Sequence, residues 1–335
     1  MMEIYSFDNE RLLSNYYKLL HLYQNASTDK EKVKIYNEII ALSIFIDKNK
    51  RFIIKPPSFY KKTILEEKIK RINFFKEIES QTRILAEYWK QGIESITTFH
   101  DFNNLNKTKH TKGSFKLSLI DFFTEIFPED LSIVNSSFEE KRIRVKKNQI
   151  FSHSASITYL ESIGEYYIAL SYNHNLTDRF VGYLVHEYGH ASCYIKSGKW
   201  QSYDYLLEET VAFLYEMLYI DYKDQNKSLE IKLSNMKNYF KSIGIYHLFN
   251  YFETVKEGNN LYLEYINIII SFYASIVSLT LYSQRNDNNF KDKIDYIKQN
   301  FSTMPAFVLL ENIDIKEKDL IDTAKNMKQK ILSRD

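Results

Sequence analysis

"YLVHEYGHAS", residues 183 to 192, sets two histidines four positions apart with a glutamate directly after the first. Residues four apart stack on one face of a helix, so His186 and His190 can point two imidazoles at one ion. Glu187 is turned about 100° from His186 and reaches the water beside a metal, not the metal itself. That geometry suits hydrolysis. A catalytic zinc takes three protein ligands and keeps a fourth position for water, whose pKa it lowers to about 7. Glu187 is then the general base activating a zinc-bound water, and the acid that passes the proton to the leaving amine. The competing reading is two satisfied helix histidines and a solvated glutamate. Context argues against it: "NHNLTD" ends in Asp178, a good N-cap for a helix carrying the motif. The strand signal ahead of it, "YYIALSY", offers a free edge that can hold a peptide in extended form.

A third ligand is expected downstream. "KSG" at 196 to 198 ends the motif helix, and a second helix is expected from near Tyr203, "YDYLLEETVAFLYEMLYI". Glu208 and Glu209 are adjacent, so they point about 100° apart and only one can face the metal. Glu209 shares its face with Phe213 and Glu216, Glu208 with Ala212 and Tyr215. Periodicity alone does not choose between them.

The stretch "YYIALSYNHNLTDRFVGYLVHEYGHAS" followed by "EETVAFLYE" resembles the M3 family of zinc metallopeptidases, and most of all its oligoendopeptidase F branch. The resemblance covers about 160 to 285, and residues before it match only in being helical. It implies a hydrolase, a metalloprotease of the oligopeptidase type, with His186, His190 and Glu209 as zinc ligands, Glu187 as general base and acid, and Glu216 in support. The family's tyrosine-rich loop contacts substrate and stabilises the tetrahedral intermediate. "LEYINIIISFYAS" resembles it, with Tyr265 and Tyr273 matching. The family's histidine appears there as Leu263, and an intervening tyrosine position holds Ile269 or Ser271. Loss of each such donor costs a few kcal/mol of transition-state stabilisation. His247 and Tyr262 are candidates to replace them. Cys193 stands where relatives often carry another histidine; three residues past His190, it is read as a small buried side chain rather than a ligand. Relatives are commonly much longer, which implies a reduced N-terminal lobe here.

Composition bounds the setting. The chain has 335 residues, 44% hydrophobic and 26% charged, with only 8 Gly and 4 Pro, which points to a globular, mainly α protein of long helices. A net charge of +2 lacks the basic excess of a nucleic-acid binder. The densest basic run, "KRIRVKK" at 141 to 147, alternates with apolar residues and reads as a strand with one solvated face. One cysteine excludes an internal disulfide and a thiolate-built structural zinc. "MMEIYSFDNE" has no basic segment followed by an apolar one, which argues against a secretory signal and for a cytoplasmic location. "YINIIISFYASIVSLTLYSQ", 265 to 284, is uncharged over 20 residues. Its serines, threonine and tyrosines favour a buried helix over a membrane span.

Two parts are expected, a helical N-terminal lobe over 1–140 and a catalytic zinc-peptidase lobe over 141–335, flanking a cleft. Asp8 is a plausible cap for the first helix, "TDKE" at 28 to 31 a capping box for the second, and "PP" at 56 and 57 a break before a long third. Strand signals from 141 to 172 suggest a small antiparallel sheet beside the HExxH helix. The fold so described is a two-lobed, zincin-type helical peptidase. The function expected is zinc-dependent endopeptidase action on short or unstructured peptides, with no nucleic-acid or membrane partner. Two alternatives remain: a peptide-binding or regulatory protein that keeps the fold with little catalysis, and a carboxypeptidase of the same HExGH class. Cleavage specificity and oligomeric state are not legible.

Overall fold

The computed structural model describes residues 3–52, 54–96, 108–147, 154–172, 175–199, 206–207, 209–242 and 262–332. Helices α1 (Asn9–Asn25) and α2 (Asp29–Ser43) open the chain. The Asp8 carboxylate accepts the Glu10 and Arg11 amides, and the Thr28 hydroxyl accepts the Glu31 amide at 3.2 Å. Half of the expected capping box is thus present. Glu31 reaches back one residue further than that motif requires, to the Ser27 amide at 3.2 Å. After Pro56 and Pro57 comes α3 (Tyr60–Ser95), followed by α4 (Lys112–Ile126) and α5 (Leu131–Glu139).

Strands β1 (Glu3–Tyr5), β2 (Ile143–Lys147), β3 (Ser154–Leu160) and β4 (Glu165–Tyr172) form one sheet in the order β1-β2-β4-β3. β3 and β4 are an antiparallel hairpin, and Gly164 takes the positive φ of 64° its turn requires. The sheet is mixed, however, where an antiparallel one was expected, because β2 lies parallel to β4, Ile143 opposite Ile168. Burial explains the arrangement. Tyr166, Ile168 and Leu170 pack into the main core, while Tyr167, on the other face, packs with Phe7, Leu12 and Tyr16 beneath α1. A strand covered on both faces belongs inside a sheet, so the hairpin turns β4 inward and leaves β3 at the edge.

Helices α6 (Asp178–Ser197), α7 (Thr210–Lys223) and α8 (Leu229–Ser242) follow, then α9 (Tyr262–Ser283), α10 (Phe290–Asn300), α11 (Ala306–Asn312), α12 (Glu317–Lys325) and α13 (Met327–Leu332). α9 carries all but the last residue of the uncharged segment, 265 to 284, that sequence assigns to the interior. Phe272, Ala274, Ile276, Leu279 and Leu281 on it are fully buried. Its hydroxyls bond to backbone: Ser275 to the Phe272 carbonyl at 2.7 Å, Thr280 to that of Ile276 at 2.9 Å, and Ser278 to that of Thr210 at 2.7 Å. Among the described residues no helix is long and apolar enough to cross a membrane.

Behind α6 sits a buried ion pair. Lys298 of α10 is fully buried, and its Nζ lies 2.7 Å from Asp130 Oδ2, which also accepts from the Tyr215 hydroxyl of α7. The Phe127 and Tyr215 rings lie 5.5 and 5.2 Å from the ammonium. Lys298→Met strands the Asp130 charge and is expected to lower unfolding free energy by about 3–5 kcal/mol. Adding Asp130→Asn should recover part of that loss. Urea denaturation of the three proteins checks it, and a single variant as stable as the parent would show that the pair is not needed.

Candidate active site

α6 and α7 run antiparallel and are locked at the end where α6 begins. Thr177, not Asp178, is the N-cap of α6, and Asp178 is its first helical residue. Its carboxylate is used across the fold instead, meeting His110 Nε2 at 2.8 Å, the Tyr219 hydroxyl at 3.1 Å and Lys223 Nζ at 3.1 Å. Burial alone would raise its pKa, but the hydrogen bond from His110 and the Lys223 charge hold it at about 2. Gly198 ends α6 with φ 68°, as the KSG signal predicts.

At the other end the helices touch through Gly189. An added Cβ there would lie 2.6 Å from Ala212 Cα and 3.0 Å from Ala212 N, so only glycine permits this approach of the two backbones. α7 begins at Thr210, later than the start expected near Tyr203, and Glu209 is its N-cap residue at φ −100°, ψ −5°. The approach brings Glu209 over the two histidines.

Glu209 Oε2 lies 3.1 Å from His186 Nε2 and 3.2 Å from His190 Nε2. One nitrogen or oxygen from each of the three residues falls within 4.8 Å of the others. Ligands 2.0–2.2 Å from a tetrahedral ion stand roughly 3.3 Å apart, so the spacing and the two-imidazole, one-carboxylate chemistry fit zinc. Glu208 lies outside the described residues. Behind His186, Glu216 Oε2 is 3.3 Å from Nδ1, in contact but off the line of an ideal hydrogen bond. His190 Nδ1 has no hydrogen-bond partner among the described residues, and its ring stacks on Tyr194 at 5.9 Å and 10°. Tyr194 stacks in turn on Tyr159 of β3 at 5.5 Å, linking the edge strand to the histidine.

Electrostatics follow from burial and pairing. Burial works to lower the His186 pKa, yet hydrogen bonding and charge from Glu209 and Glu216 raise it well above the ordinary value. Burial likewise opposes ionisation of Glu209, and the two histidines overcome it and hold its carboxyl well below the usual range. Glu187 is 7% exposed; burial raises its pKa, while the His186 and His190 charges pull it down. Cys193 is buried, and burial pushes its thiol up to about 12, with Lys298 and Asp130 the charges nearest to it. It is a small buried side chain in the field of that ion pair.

Of the two tyrosines drawn from the family pattern, the one whose side chain is described, Tyr273, does not join this group. Tyr273 is buried on α9, its phenol influenced by Thr82 of α3 and by the Glu317 charge, and among the described residues none of His186, Glu187, His190 or Glu209 acts on it. Burial pushes its phenol up to about 12. The Tyr265 side chain lies outside the described residues, as do those of Tyr262 and Leu263 and the whole of His247. Ile269 is buried and Ser271 partly so. The strand ahead of the motif, β4, has no free edge because β2 and β3 flank it; among the described residues the edge strands are β1 and β3, and β3 is the one that borders β4. Sequence reading assigned no role to three residues around the site. Tyr194 was detectable, being four residues past His190. Phe213, whose ring is 5.1 Å from that of His186, shares a helical face with Glu209, but Tyr239 of α8 had no local signal.

The fold is mainly α, with a small mixed sheet packed beside α6. Two solved structures share it: a protein assigned as oligoendopeptidase F from Bacillus anthracis strain Ames, at TM-score 0.50 and 16% identity over 91% of this chain, and PZ peptidase A solved with an inhibitor, at TM-score 0.50 and 12% identity over 99%. A protein assigned as a peptidase from Chlamydophila abortus aligns at TM-score 0.49 and 15% identity over 96%. The chain spans 62% of the length of the Bacillus and Chlamydophila proteins and 70% of PZ peptidase A. At such identities the likeness shows the fold alone. No family model matches the sequence, and no curated protein matches it significantly.

Proposed function

We propose that this protein is a zinc-dependent metallo-endopeptidase acting on short or unstructured peptides. The observation that carries this reading is the meeting of His186 Nε2, His190 Nε2 and Glu209 Oε2 around one point, beside Glu187. When bound, zinc would supply Lewis acidity toward a carbonyl oxygen and make water more acidic. His186, His190 and Glu209 would hold it, and Glu216 would orient His186. Glu187 takes a proton from water as the water oxygen attacks the scissile carbonyl carbon. It returns that proton to the amide nitrogen as the C–N bond breaks. The outer edge of β3 offers backbone groups to an extended peptide running past His190.

Purified protein incubated with a mixed peptide library should yield internal cleavages that vanish with a chelator and return with zinc. Zinc-loaded protein that cuts no peptide would sink the proposal. A second reading, peptide binding with little catalysis, is favoured by Tyr273, whose phenol is influenced by Thr82 and not by the site's residues, which leaves the oxyanion one expected donor short. Tight binding without product fragments would select it, and release of single C-terminal residues would select a carboxypeptidase.

A further inference from the structure

Rings pack outward from His186 in a series that ends on a phenol. Phe213 of α7 lies 5.1 Å from the His186 ring and 6.5 Å from the ring of Tyr239 on α8. Tyr239 is 7% exposed. Glu216 follows Phe213 by one helical turn on α7, and its carboxylate is the charge that acts most on the Tyr239 phenol, ahead of Glu209, while the hydroxyl makes no well-aligned hydrogen bond to it. Glu216 is itself 13% exposed and stands 3.3 Å from His186 Nδ1. A buried phenol needs a polar partner, and a largely covered carboxylate such as Glu216 gains from donors. Phenylalanine would fill the same space against Phe213, so packing gives no reason for the hydroxyl, whereas Glu216 does.

We infer that Tyr239 is a positioning residue: its hydroxyl braces Glu216, and Glu216 holds His186 by Nδ1 so that Nε2 faces Glu209 and His190. The inference rests on the zinc reading above and extends it to a third helix. A carboxylate with one neighbour can rotate about its last torsion, and a second partner restrains it. Without the hydroxyl, Glu216 is under-satisfied where water is scarce, and the imidazole it orients loses its fixed direction.

The test compares wild type, Tyr239→Phe, Glu216→Gln and the double variant, each freed of metal with a chelator. Zinc affinity is measured by competition with a chromophoric chelator. The visible spectrum with cobalt reports ligand geometry, and melting of the metal-free forms reports the fold. Tyr239→Phe is expected to weaken zinc binding about 10-fold or more and to change the cobalt spectrum, within the ~10–100-fold range of groups that support a metal-binding histidine. The double variant should bind no more weakly than Glu216→Gln alone, because the hydroxyl acts through the carboxylate.

Wild-type affinity and spectrum in Tyr239→Phe would overturn the inference and leave the zinc reading intact. A wild-type protein that binds no zinc would overturn both. Should metal-free Tyr239→Phe melt well below the parent, the Glu216→Gln background decides: a loss of affinity that disappears there supports the inference, and one that persists overturns it.

Discussion

Glu187→Gln is expected to keep the zinc stoichiometry of the parent and to lower peptide turnover by about 10²–10⁴, the share a positioned general acid–base supplies. Each factor of ten is about 1.4 kcal/mol of barrier, so the loss corresponds to roughly 3–5 kcal/mol. Glutamine keeps the shape of glutamate and cannot take the proton of the attacking water. The proposed metal donors, His186, His190 and Glu209, are untouched. Metal-free stability should hold or rise. Burial raises the Glu187 pKa, so folding disfavours its charged form, and that penalty is present above the folded-state pKa and fades as pH falls through it. A neutral amide removes it. Metal analysis, single-turnover cleavage and thermal melting together test the assignment; turnover equal to the parent would strip Glu187 of its role.

Gly189→Ala should damage both the fold and the metal site. In an ordinary helix this change adds about 1 kcal/mol of stability. Here the new methyl would lie 2.6 Å from Ala212 Cα and 3.2 Å from the Val211 carbonyl oxygen, and backbone atoms cannot swing aside as side-chain ends do. α6 and α7 must separate, and such overpacking costs about 1–3 kcal/mol beyond the lost propensity gain. The site suffers more than the average stability suggests, because α7 carries Glu209 at its N-cap and a shift of a few tenths of an ångström spoils its reach to both imidazoles. Zinc affinity should fall at least 10-fold, as it does when ligand orientation is disturbed. Gly113→Ala is the control: a Cβ there meets nothing within 4 Å, so stability should hold or improve and zinc affinity should not change. Equal zinc affinity in Gly189→Ala and the parent would mean that the close helix approach does not set the site.

Whatever depends on residues near one another along the chain was legible without coordinates. Four-residue spacing stacks His186 under His190 and turns Glu187 aside, a consequence of helical pitch alone. Asp8, Thr28 and Gly198 mark helix ends because they bond or bend the backbone next to them. An uncharged run rich in hydroxyls is read as interior because each hydroxyl can reach a carbonyl one turn back, as Ser275 and Thr280 do.

Tertiary structure alone decided the rest. Helical phase left Glu208 and Glu209 equal; Glu209 meets both imidazoles because Gly189 lets the start of α7 close on α6. β2 lies parallel to β4 because both faces of β4 are buried, which no alternation within β2 encodes. Asp178 serves His110, Tyr219 and Lys223 rather than its own helix end, and the Tyr273 phenol is influenced by Thr82 of a helix nearly two hundred residues earlier. Periodicity assigns a side chain to a face, but which neighbour occupies that face is set by burial of apolar area over the whole chain, a sum to which every element contributes.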